Sequence, residues 1–415
     1  MSKEEVTDRV ITENLHGLEI DPRCTQIAAF NLALTAWKFC GHYKELPEMN
    51  LACSGIAPKG KMEDWVKLVG KVDSAYDKTR LENGMKMLYE HFQLAPELGS
   101  LLDPTTIKAD AFTASFKELQ PVLKKALEGE DDSEYLERGV MAAGIAKVGK
   151  ILNIPFTISI TNPPYLGERK QSYLIRDFSQ KYFAPGKADL ATIFLLRCES
   201  FVRNRRTQAL VIPQNWLYQS SYKKLRQDLL TNKRISLVCQ LGSNAFIQQV
   251  GSDVLLLILD YNRGNINGID ATTEVSAIDK SDFIRKSEII SINTTPILYS
   301  DDSRIVLSSR NLDLPFLEKY AVCLAGIQNG DTQKFVRQFW EISNWRKRWW
   351  PLQGTSDISC NYAGLNMVID YDMNEGHLRE SKEIRRKKLH DSDQRGNKAW
   401  FKDAIAISLL GGLKS

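Results

Sequence analysis

The sequence has few of the features that mark several common protein classes. Its seven cysteines form no Cys-x-x-Cys pair and no short cluster with histidine, and its five histidines show no ligand spacing. This pattern excludes a zinc knuckle and a dense disulfide framework, and we expect reduced thiols and no metal site. No Gly-x-Gly-x-x-Gly segment opens a helix, which disfavours a nicotinamide-dependent enzyme.

Long hydrophobic runs are also missing. Val254–Leu259 is one of the longest apolar stretches, whereas a membrane-spanning helix needs about 20 apolar residues. The first 14 residues are polar and acidic and lack the apolar core of a signal peptide. We therefore expect a soluble, cytoplasmic protein with no membrane partner.

The overall charge is nearly balanced, but its distribution is uneven. The 415 residues include 55 Lys and Arg against 51 Asp and Glu, which gives a formal net charge of +4. Residues 165–234 carry 14 basic and 5 acidic residues, and residues 331–415 carry 15 and 11. The remainder is acidic. A basic block of this kind is typical of a surface that meets a phosphate backbone.

Apolar runs that are typical of strands alternate with segments that have helical spacing, and this alternation predicts an α/β fold. Leu15–Ile20 is predicted to be a strand, followed by a helix to about residue 39 and a second strand at Leu51–Ile56. The alternation resumes after residue 154 with predicted strands and helices at Ile154–Thr161, Ala188–Arg203, Gln208–Pro213 and Ser221–Leu230. Ile235–Leu241 and Val254–Asp260 are too close for a helix between them, so we expect an antiparallel edge hairpin on a mostly parallel sheet.

The segment between these two parts is predicted to be a helical insertion. Within residues 60–152, apolar residues have helical spacing at Leu81–Phe92, Ile107–Leu127 and Ser133–Leu152. The segment is also far longer than the dozen residues or so that a crossover between parallel strands needs. The predicted organisation is a partial cofactor-binding half at 1–59, the insertion at 60–152, a catalytic half at 153–262, a connecting region at 263–325 and the start of a target-recognition domain at 326–415.

The most informative motif is Asn162-Pro163-Pro164-Tyr165, which directly follows a predicted strand. The two prolines fix the backbone, so the Asn162 side-chain oxygen and the Pro163 carbonyl become two fixed acceptors at the carboxyl edge of a sheet. Two convergent acceptors suit an exocyclic amine, and the Tyr165 ring offers a face for base stacking. An ordinary turn is the alternative interpretation.

Thr161–Gly167 resembles the catalytic motif of amino-methyltransferases that use S-adenosylmethionine, in particular N6-adenine-specific DNA methyltransferases. Gln208–Trp216 and Asn244-Ala245-Phe246 resemble later motifs of the same family, in the expected order. Ala95–Leu102 and Gly326–Asp331 resemble segments of the large BREX-type phage-resistance enzymes. The resemblance implies a Rossmann-like fold, an S-adenosyl-L-methionine cofactor, a flipped adenine in duplex DNA as substrate, and a role in restriction-modification or phage defence.

The same resemblance assigns further site residues. His16–Pro22 resembles the motif whose acidic residue binds the cofactor ribose, which makes Glu19, with Asp21 nearby, the predicted cofactor contact. Phe246 is predicted to flank the base opposite Tyr165. A solvent-exposed carboxylate for Glu19, a helix cap for Asp21 and a core position for Phe246 are the alternatives.

Two basic runs follow the catalytic motif and are predicted to contact the DNA backbone. They are Arg203, Arg205 and Arg206, and Lys223, Lys224 and Arg226. Clusters at Trp345–Trp350 and Arg385–Lys388 add cations and aromatics to the C-terminal region. Each run is equally compatible with a solvated helix face, and the tryptophans with a small core.

One departure from the family concerns the cofactor loop. The glycine-rich first motif should precede Gly17, but only 16 residues do so and none is a glycine. We therefore expect a fragment that lacks both ends, or one part of a split enzyme with an N-terminal complementing fragment and other defence-system proteins as partners. A methyltransferase acting on RNA or on protein glutamine, and a non-catalytic DNA-binding remnant or decoy, remain alternatives. A cytosine-C5 methyltransferase is disfavoured because the sequence has no Pro-Cys nucleophile motif.

Overall fold

The computed structural model divides the chain into two compact units, Met1–Ser309 and Arg310–Ser415. It describes residues 1–107, 110–125, 133–202, 207–232, 234–246, 253–260 and 265–307, and in the second unit residues 319–322, 324, 326–327, 331–343, 348–354, 364–371, 378, 381, 383–384 and 402–403. This division is coarser than the five predicted segments, which stay a prediction. Among the described residues, no helix is long and apolar enough to cross a membrane.

The helices of the first unit include the predicted ones, but the helix predicted from Ile107 begins only at Phe116, and several other helices were not predicted. The helices are α1 (Lys3–Arg9), α2 (Pro22–Cys40), α3 (Met62–Val66), α4 (Ala75–Gln93), α5 (Ala95–Leu98), α6 (Phe116–Lys125), α7 (Ser133–Asn153), α8 (Tyr173–Tyr182), α9 (Leu190–Phe201), α10 (Lys223–Thr231), α11 (Ala277–Lys286) and α12 (Thr294–Leu298). The strands are β1 (His16–Glu19), β2 (Asn50–Cys53), β3 (Ile158–Thr161), β4 (Thr207–Pro213), β5 (Ile235–Gly242), β6 (Val254–Leu259), β7 (Ile266–Asp270) and β8 (Ile290–Ile292).

Local sequence signals explain where these elements begin and end. Asp21 caps α2, Pro22 occupies its first turn, and Gly41 ends it with φ +87°. Asp189 caps α9 in the same way, through a hydrogen bond from the Ala191 N–H. β3 stops at Thr161 because the two prolines that soon follow have no N–H to pair with a neighbouring strand.

The strands form two separate sheets. β1 and β2 make a parallel pair, and the other six strands form one sheet in the order β3-β4-β6-β5-β7-β8. Within the larger sheet, β3–β4 and β5–β7 are parallel, while β4–β6, β5–β6 and β7–β8 are antiparallel. The predicted α/β class is confirmed.

The predicted antiparallel pair forms, but it does not lie at the edge of the sheet. β6 inserts between β4 and β5, and β7 and β8 continue the sheet beyond β5. β7 was not predicted from the sequence, because Asn267 and Gly268 interrupt its apolar pattern. Pairing with β5, at Leu237 opposite Asn267, overrides this weak local preference.

The helices of the predicted insertion pack into a core that continues to Ile175 of α8 and Ile193 of α9. α4, α6 and α7 pack together, and their buried side chains include Met85, Leu88, Phe92, Leu119, Leu123 and Ile145. Gly149 of α7 lies directly against the ring of Phe116, where a Cβ atom would come within 1.9 Å of the ring carbon Cζ. The close approach of α6 and α7 therefore depends on this glycine.

A buried arginine connects the insertion to the larger sheet. Arg197 of α9 donates from Nε to the Ser100 carbonyl at 2.9 Å and from Nη2 to the Leu102 carbonyl at 2.6 Å. Its Nη1 lies 3.3 Å from Asp103 Oδ2. Since α9 packs against β4, these contacts fix the position of the insertion relative to the larger sheet.

The second unit contains a small antiparallel sheet. α13 (Thr332–Phe335) leads into β9 (Val336–Gln338), and β10 (Trp349–Leu352), β11 (Met367–Asp370) and β9 pair in that order. Phe335, Val336, Ile369 and Leu378 form its core. Trp345, Arg346, Lys347 and the Arg385–Lys388 cluster lie outside the described residues, and Arg348 forms an ion pair with Asp370.

Candidate catalytic turn and its surroundings

The Asn162–Tyr165 turn lies at the carboxyl end of β3, the first strand of the larger sheet. Pro163 is buried, whereas the Asn162 side chain is exposed. Among the described residues, no N–H or O–H group donates to the Pro163 carbonyl oxygen. The turn therefore contains one side-chain acceptor and one backbone acceptor, and their role in holding an amine stays a prediction.

Tyr165 connects this turn to the neighbouring strand. Its hydroxyl donates to Asn162 Oδ1 at 2.8 Å and lies 3.2 Å from the Val211 carbonyl of β4. Burial, with a smaller contribution from the charge of Asp189, raises the pKa of Tyr165 to about 12. The hydroxyl thus keeps its single proton at neutral pH and can donate it to either of the two acceptors.

Backbone hydrogen bonds hold the chain just beyond the turn. The Leu190 N–H donates to the Leu166 carbonyl at 3.0 Å, and the Glu168 N–H donates to the Ala188 carbonyl at 3.0 Å. Between them, the buried Asp189 caps α9, and burial raises the pKa of its carboxyl group. The loop after the catalytic turn is therefore fixed to the start of α9.

Phe246 lies near the same site. Tyr165 and Phe246 are both partly buried and pack against one small cluster formed by Cys239, Leu241, Val254 and Ile269. Asn244 precedes Phe246 in a left-handed conformation, with φ +58°, which turns the chain after β5. The structure brings the two rings to the same cluster, and a stacking role for Phe246 stays a prediction.

The two predicted cofactor carboxylates differ in what they contact. Glu19 ends β1 with an exposed side chain whose Oε1 accepts the Ile20 and Asp21 N–H groups at 2.8 and 3.3 Å. Its Oε2 has no hydrogen-bond partner among the described residues. Asp21 instead caps α2 and forms an ion pair with Arg23 at 2.8 Å, and this hydrogen bond lowers the pKa of Asp21. The capping alternative thus describes what Asp21 does here, and Glu19 is the better candidate.

The predicted DNA contacts separate into three groups. Arg203, Arg205 and Arg206 lie outside the described residues. Lys223 is half-buried and Lys224 is exposed, both at the start of α10. The assignment of Arg226 to the DNA surface is wrong, because its side chain is fully buried.

Arg226 binds backbone carbonyls instead of a phosphate. Nη1 donates to the carbonyls of Trp216 and Gln219 at 2.6 and 2.7 Å. Nη2 donates to Asp302 at 2.7 Å, and Nε lies 3.1 Å from the Ser303 carbonyl. On helix α10, Arg226 lies between the buried residues Leu225 and Leu229. Its guanidinium group therefore holds several turns of the chain together through hydrogen bonds.

An exposed basic and aromatic surface, which was not predicted from the sequence, lies next to the turn in the chain. Arg169, Lys170 and Arg176 are exposed, and the Tyr173 side chain is 80% exposed. These residues lie on the segment that immediately follows the catalytic turn. The sequence signal that could have identified this surface is the alternation of cations with an aromatic residue in the segment.

Comparisons with known proteins show the family of the chain. The family model described as Eco57I restriction-modification methylase matches residues 13–246. The adenine-specific methyltransferase PglX of Lacticaseibacillus casei (strain Zhang) is 26% identical over 259 residues, which cover 61% of this chain and 20% of that relative. The adenine-specific methyltransferase BrxX of Escherichia coli O9:H4 (strain HS) is 23% identical over 418 residues, which cover 91% of this chain and 34% of that relative.

Solved structures with partial similarity include two DNA complexes. One is a nuclease-deletion mutant of the Type ISP restriction-modification enzyme LlaGI with a DNA substrate mimic, at 13% identity and a TM-score of 0.41 over 71% of this chain and 22% of that chain. Another is the DrdV–DNA complex, at 14% identity and a TM-score of 0.43 over 80% of this chain and 28% of that chain. The present chain spans between a fifth and about a third of the curated relatives it matches. Because the family model matches more than half of its residues, the chain belongs to the Eco57I restriction-modification methylase family.

Proposed function

We propose that the chain carries the catalytic half of an S-adenosyl-L-methionine-dependent enzyme that methylates the N6 amine of adenine in duplex DNA, within a restriction-modification or phage-defence system. The observation that carries the proposal is the pair of acceptors on Asn162 and Pro163, held at the carboxyl end of β3 beside the Tyr165 ring. Family membership and the names of the two curated relatives support the same reaction.

The turn has the chemistry to hold and orient an exocyclic amine. Asn162 Oδ1 and the Pro163 carbonyl accept the two N–H groups, which directs the nitrogen lone pair away from the turn and stabilises the positive charge that develops on nitrogen. For the amine to reach Asn162 Oδ1, the Tyr165 hydroxyl donates to the Val211 carbonyl instead, which is already 3.2 Å away. The rings of Tyr165 and Phe246 then enclose an extruded adenine.

The described residues fit one part of the proposed cofactor. Glu19 is exposed at the carboxyl end of β1, and its Oε2 is available to accept from the two ribose hydroxyls, while Oε1 is held by backbone N–H groups. S-adenosyl-L-methionine supplies an electrophilic methyl group when it is bound. Asp21 would support this contact indirectly by fixing the start of α2.

The proposed DNA surface combines cations that are exposed among the described residues with cations that the sequence predicts. Lys224, Arg169, Lys170 and Arg176 are exposed, and Tyr173 offers an aromatic face among them. Arg203, Arg205, Arg206 and Lys223 complete the proposal, which no longer includes Arg226. An N-terminal complementing polypeptide and other defence-system proteins are the further proposed partners.

Methyl transfer from labelled S-adenosyl-L-methionine to adenine-containing duplex DNA tests the proposal. The chain is assayed alone and with a polypeptide that supplies the strand and glycine-rich turn implied by the resemblance. We expect Asn162→Ala to lower the rate by about a hundredfold or more, the cost of losing one transition-state hydrogen bond. The matched control is Asn31→Ala, because Asn31 is exposed on α2 and its side chain contacts no predicted site residue.

Parallel measurements separate the alternatives. A duplex with 2-aminopurine at the target position reports base extrusion by fluorescence even if transfer is slow. Methylation of RNA or of a glutamine peptide but not of duplex DNA would support those substrates instead. DNA binding without calorimetric binding of S-adenosyl-L-methionine, in both mixtures, would support a non-catalytic remnant or decoy. The absence of both extrusion and transfer in every mixture would refute the proposal.

A further inference from the structure

The chain between the catalytic turn and α9 forms a protrusion from one edge of the larger sheet. α9 leads to the start of β4, which is parallel to β3, so α9 begins at the edge where β3 ends. Backbone hydrogen bonds between residues 166–168 and 188–190 close the base of the intervening segment. Residues 169–187, the protrusion, therefore leave the sheet beside the catalytic turn and return to the same place.

Tyr173 is the first residue of α8 in this protrusion, and its side chain is 80% exposed. Among the described residues, its hydroxyl makes no hydrogen bond, and its ring contacts no other aromatic ring and no cation. The exposed rings of Tyr43 and Tyr182, by contrast, each pack against another aromatic ring, at centroid distances of 5.0 and 4.7 Å. Both faces of the Tyr173 ring are thus available to a partner.

Cations flank this ring on the surface of the protrusion. Arg169, Lys170 and Arg176 are exposed, and they form no ion pair with the described residues. Arg176 lies three positions after Tyr173 on α8, so the two side chains share one face of the helix. Asp177 is the one acidic residue of α8. A free aromatic ring among exposed cations is suited to nucleic acid, since the ring can stack on a base while the cations meet phosphates.

The start of α8 is held firmly in place. The buried Gln171 donates from Nε2 to the Leu166 carbonyl at 2.9 Å. The hydroxyl of Ser172 accepts the Ile175 N–H at 3.2 Å and donates to the carboxylate of Glu97 on α5. The first residue of α8 is therefore presented from a fixed backbone, which reduces the entropy that binding costs.

Covalent geometry limits how far the Tyr173 ring lies from the catalytic turn. Gln171 contacts Leu166, the residue directly after the turn, and two Cα–Cα steps of about 3.8 Å separate Gln171 from Tyr173. With the reach of the glutamine side chain included, the Cα atoms of Leu166 and Tyr173 lie within about 18 Å of each other. A duplex that delivers an adenine to the turn therefore passes close to Tyr173.

We propose that the Tyr173 ring stacks on a base that stays in the duplex and loses its stacking partner when the target adenine is extruded. Extrusion leaves such a surface on the opposite thymine and on the bases beside the gap. An aromatic side chain can stack on any of them, because every base has a π face. This role differs from the one proposed for Tyr165, whose ring meets the extruded adenine itself. The inference rests on the proposed function, because it requires a flipped base.

Binding to a duplex with a preformed gap tests the inference without methyl transfer. A labelled duplex carries one abasic site opposite a thymine, and the fully paired duplex of the same sequence is the reference. We expect the whole chain to prefer the abasic duplex, and Tyr173→Ala to lower this preference by about fivefold or more. Tyr173→Phe should keep the preference, because the ring remains. Tyr299→Ala is the matched control, since Tyr299 is 82% exposed and lies after α12, outside the protrusion.

Salt dependence separates stacking from charge. Arg176→Gln should weaken binding to both duplexes alike and reduce the salt slope by about 1. Tyr173→Ala should leave the salt slope unchanged and lower only the preference for the abasic duplex. Because the Tyr173 side chain is 80% exposed, the thermal midpoint of the Tyr173→Ala chain should stay within about 2 °C of the original.

Photocrosslinking identifies the residue that contacts the unstacked base. 5-Iodouracil replaces the thymine opposite the abasic site in one duplex and a base beside the gap in another, and mass spectrometry locates the crosslink. We expect the crosslink on Tyr173 in at least one of the two duplexes, and the reactive duplex shows which base is stacked.

The outcomes distinguish this inference from the proposed function. An undiminished preference in the Tyr173→Ala chain, with the crosslink on Tyr165 or Phe246, would overturn the inference and leave the proposed function in place. An original chain that binds both duplexes equally, or neither, would overturn it as well. A crosslink on Tyr173 without methyl transfer in any mixture would uphold the stacking role and refute the proposed reaction.

Discussion

Replacing Arg226 with methionine should destabilise the Met1–Ser309 unit severely, although the sequence pattern places this residue in a basic run. The guanidinium is fully buried and donates to the carbonyls of Trp216, Gln219, Asp302 and Ser303. Methionine fills a similar volume but donates no hydrogen bonds, so the carbonyls of Trp216, Asp302 and Ser303 lose this donor, while the Gln219 carbonyl keeps only the Tyr222 N–H at 3.1 Å.

The magnitude follows from the burial of these carbonyls. A buried polar group that loses its partner costs about 1–3 kcal/mol, and hydrogen bonds to charged donors lie toward the upper end of that range. The Asp302 contacts are only partly buried, so water can replace some of them. We therefore expect the free energy of unfolding to fall by about 3–5 kcal/mol.

Urea unfolding followed by circular dichroism measures this loss. With a slope of about 3 kcal/mol per molar urea, the midpoint should fall by about 1 M or more. Lys224→Met is the matched control, because Lys224 is exposed on the same helix and its loss should change the stability by less than about 0.5 kcal/mol. Arg226→Lys should be intermediate, since one ammonium group cannot reach all four carbonyls. An Arg226→Met chain with an unchanged midpoint and weakened DNA binding would refute the structural role.

Three further predictions follow from the packing and the site. Gly149→Ala should destabilise the insertion by about 1–3 kcal/mol, because the new methyl group would lie 1.9 Å from the ring of Phe116. Gly144→Ala is the control, because its methyl group would meet only the end of a side chain at 3.1 Å. Thermal melts of both variants should show the smaller loss of stability for Gly144→Ala. Burial raises the pKa of Tyr165 and Tyr218 to about 12, whereas the pKa of tyrosine in an unfolded chain is about 10. The stability that these neutral hydroxyls contribute is fully present below pH 10 and should be lost as the pH rises from 10 to 12. Thermal midpoints against pH check the loss, and a midpoint that stays constant across this window would contradict it. Tyr165→Phe should keep the rate of methyl transfer within about tenfold of the original, because the ring remains. Tyr165→Ala should lose about 1–3 kcal/mol of base stacking, which would appear as a weaker change in 2-aminopurine fluorescence.

Most elements of the first unit could be predicted from the sequence because their signals are local. α2 is flanked by the Asp21-Pro22 start and the Gly41 end, and its boundaries agree with the structure within about one residue. β4, β5 and β6 are continuous apolar runs, as expected for strands buried on both faces. β7 could not be predicted in the same way, since its pairing with β5 supplies what its own sequence lacks.

In the candidate site too, some features follow from local sequence and others depend on contacts between distant parts of the chain. The backbone of Asn162–Tyr165 was predictable, because prolines restrict the chain wherever they occur. The contact between the Tyr165 hydroxyl and Val211, 46 residues away, depends on the pairing of β3 with β4. Arg226 shows the opposite outcome, in which a residue that looks exposed by composition becomes the centre of a buried hydrogen-bond network.

The sequence by itself therefore determined the family, the α/β class and most of the helices and strands of the first unit, because each depends on residues that are adjacent or a helical turn apart. Only the tertiary structure decided which of the predicted cations are exposed, and that Asp21 rather than Glu19 forms an ion pair with Arg23. It also decided the strand order of the larger sheet, in which β6 lies between β4 and β5. Exposure and strand order depend on contacts between residues far apart in the chain, and local sequence patterns carry no record of such contacts.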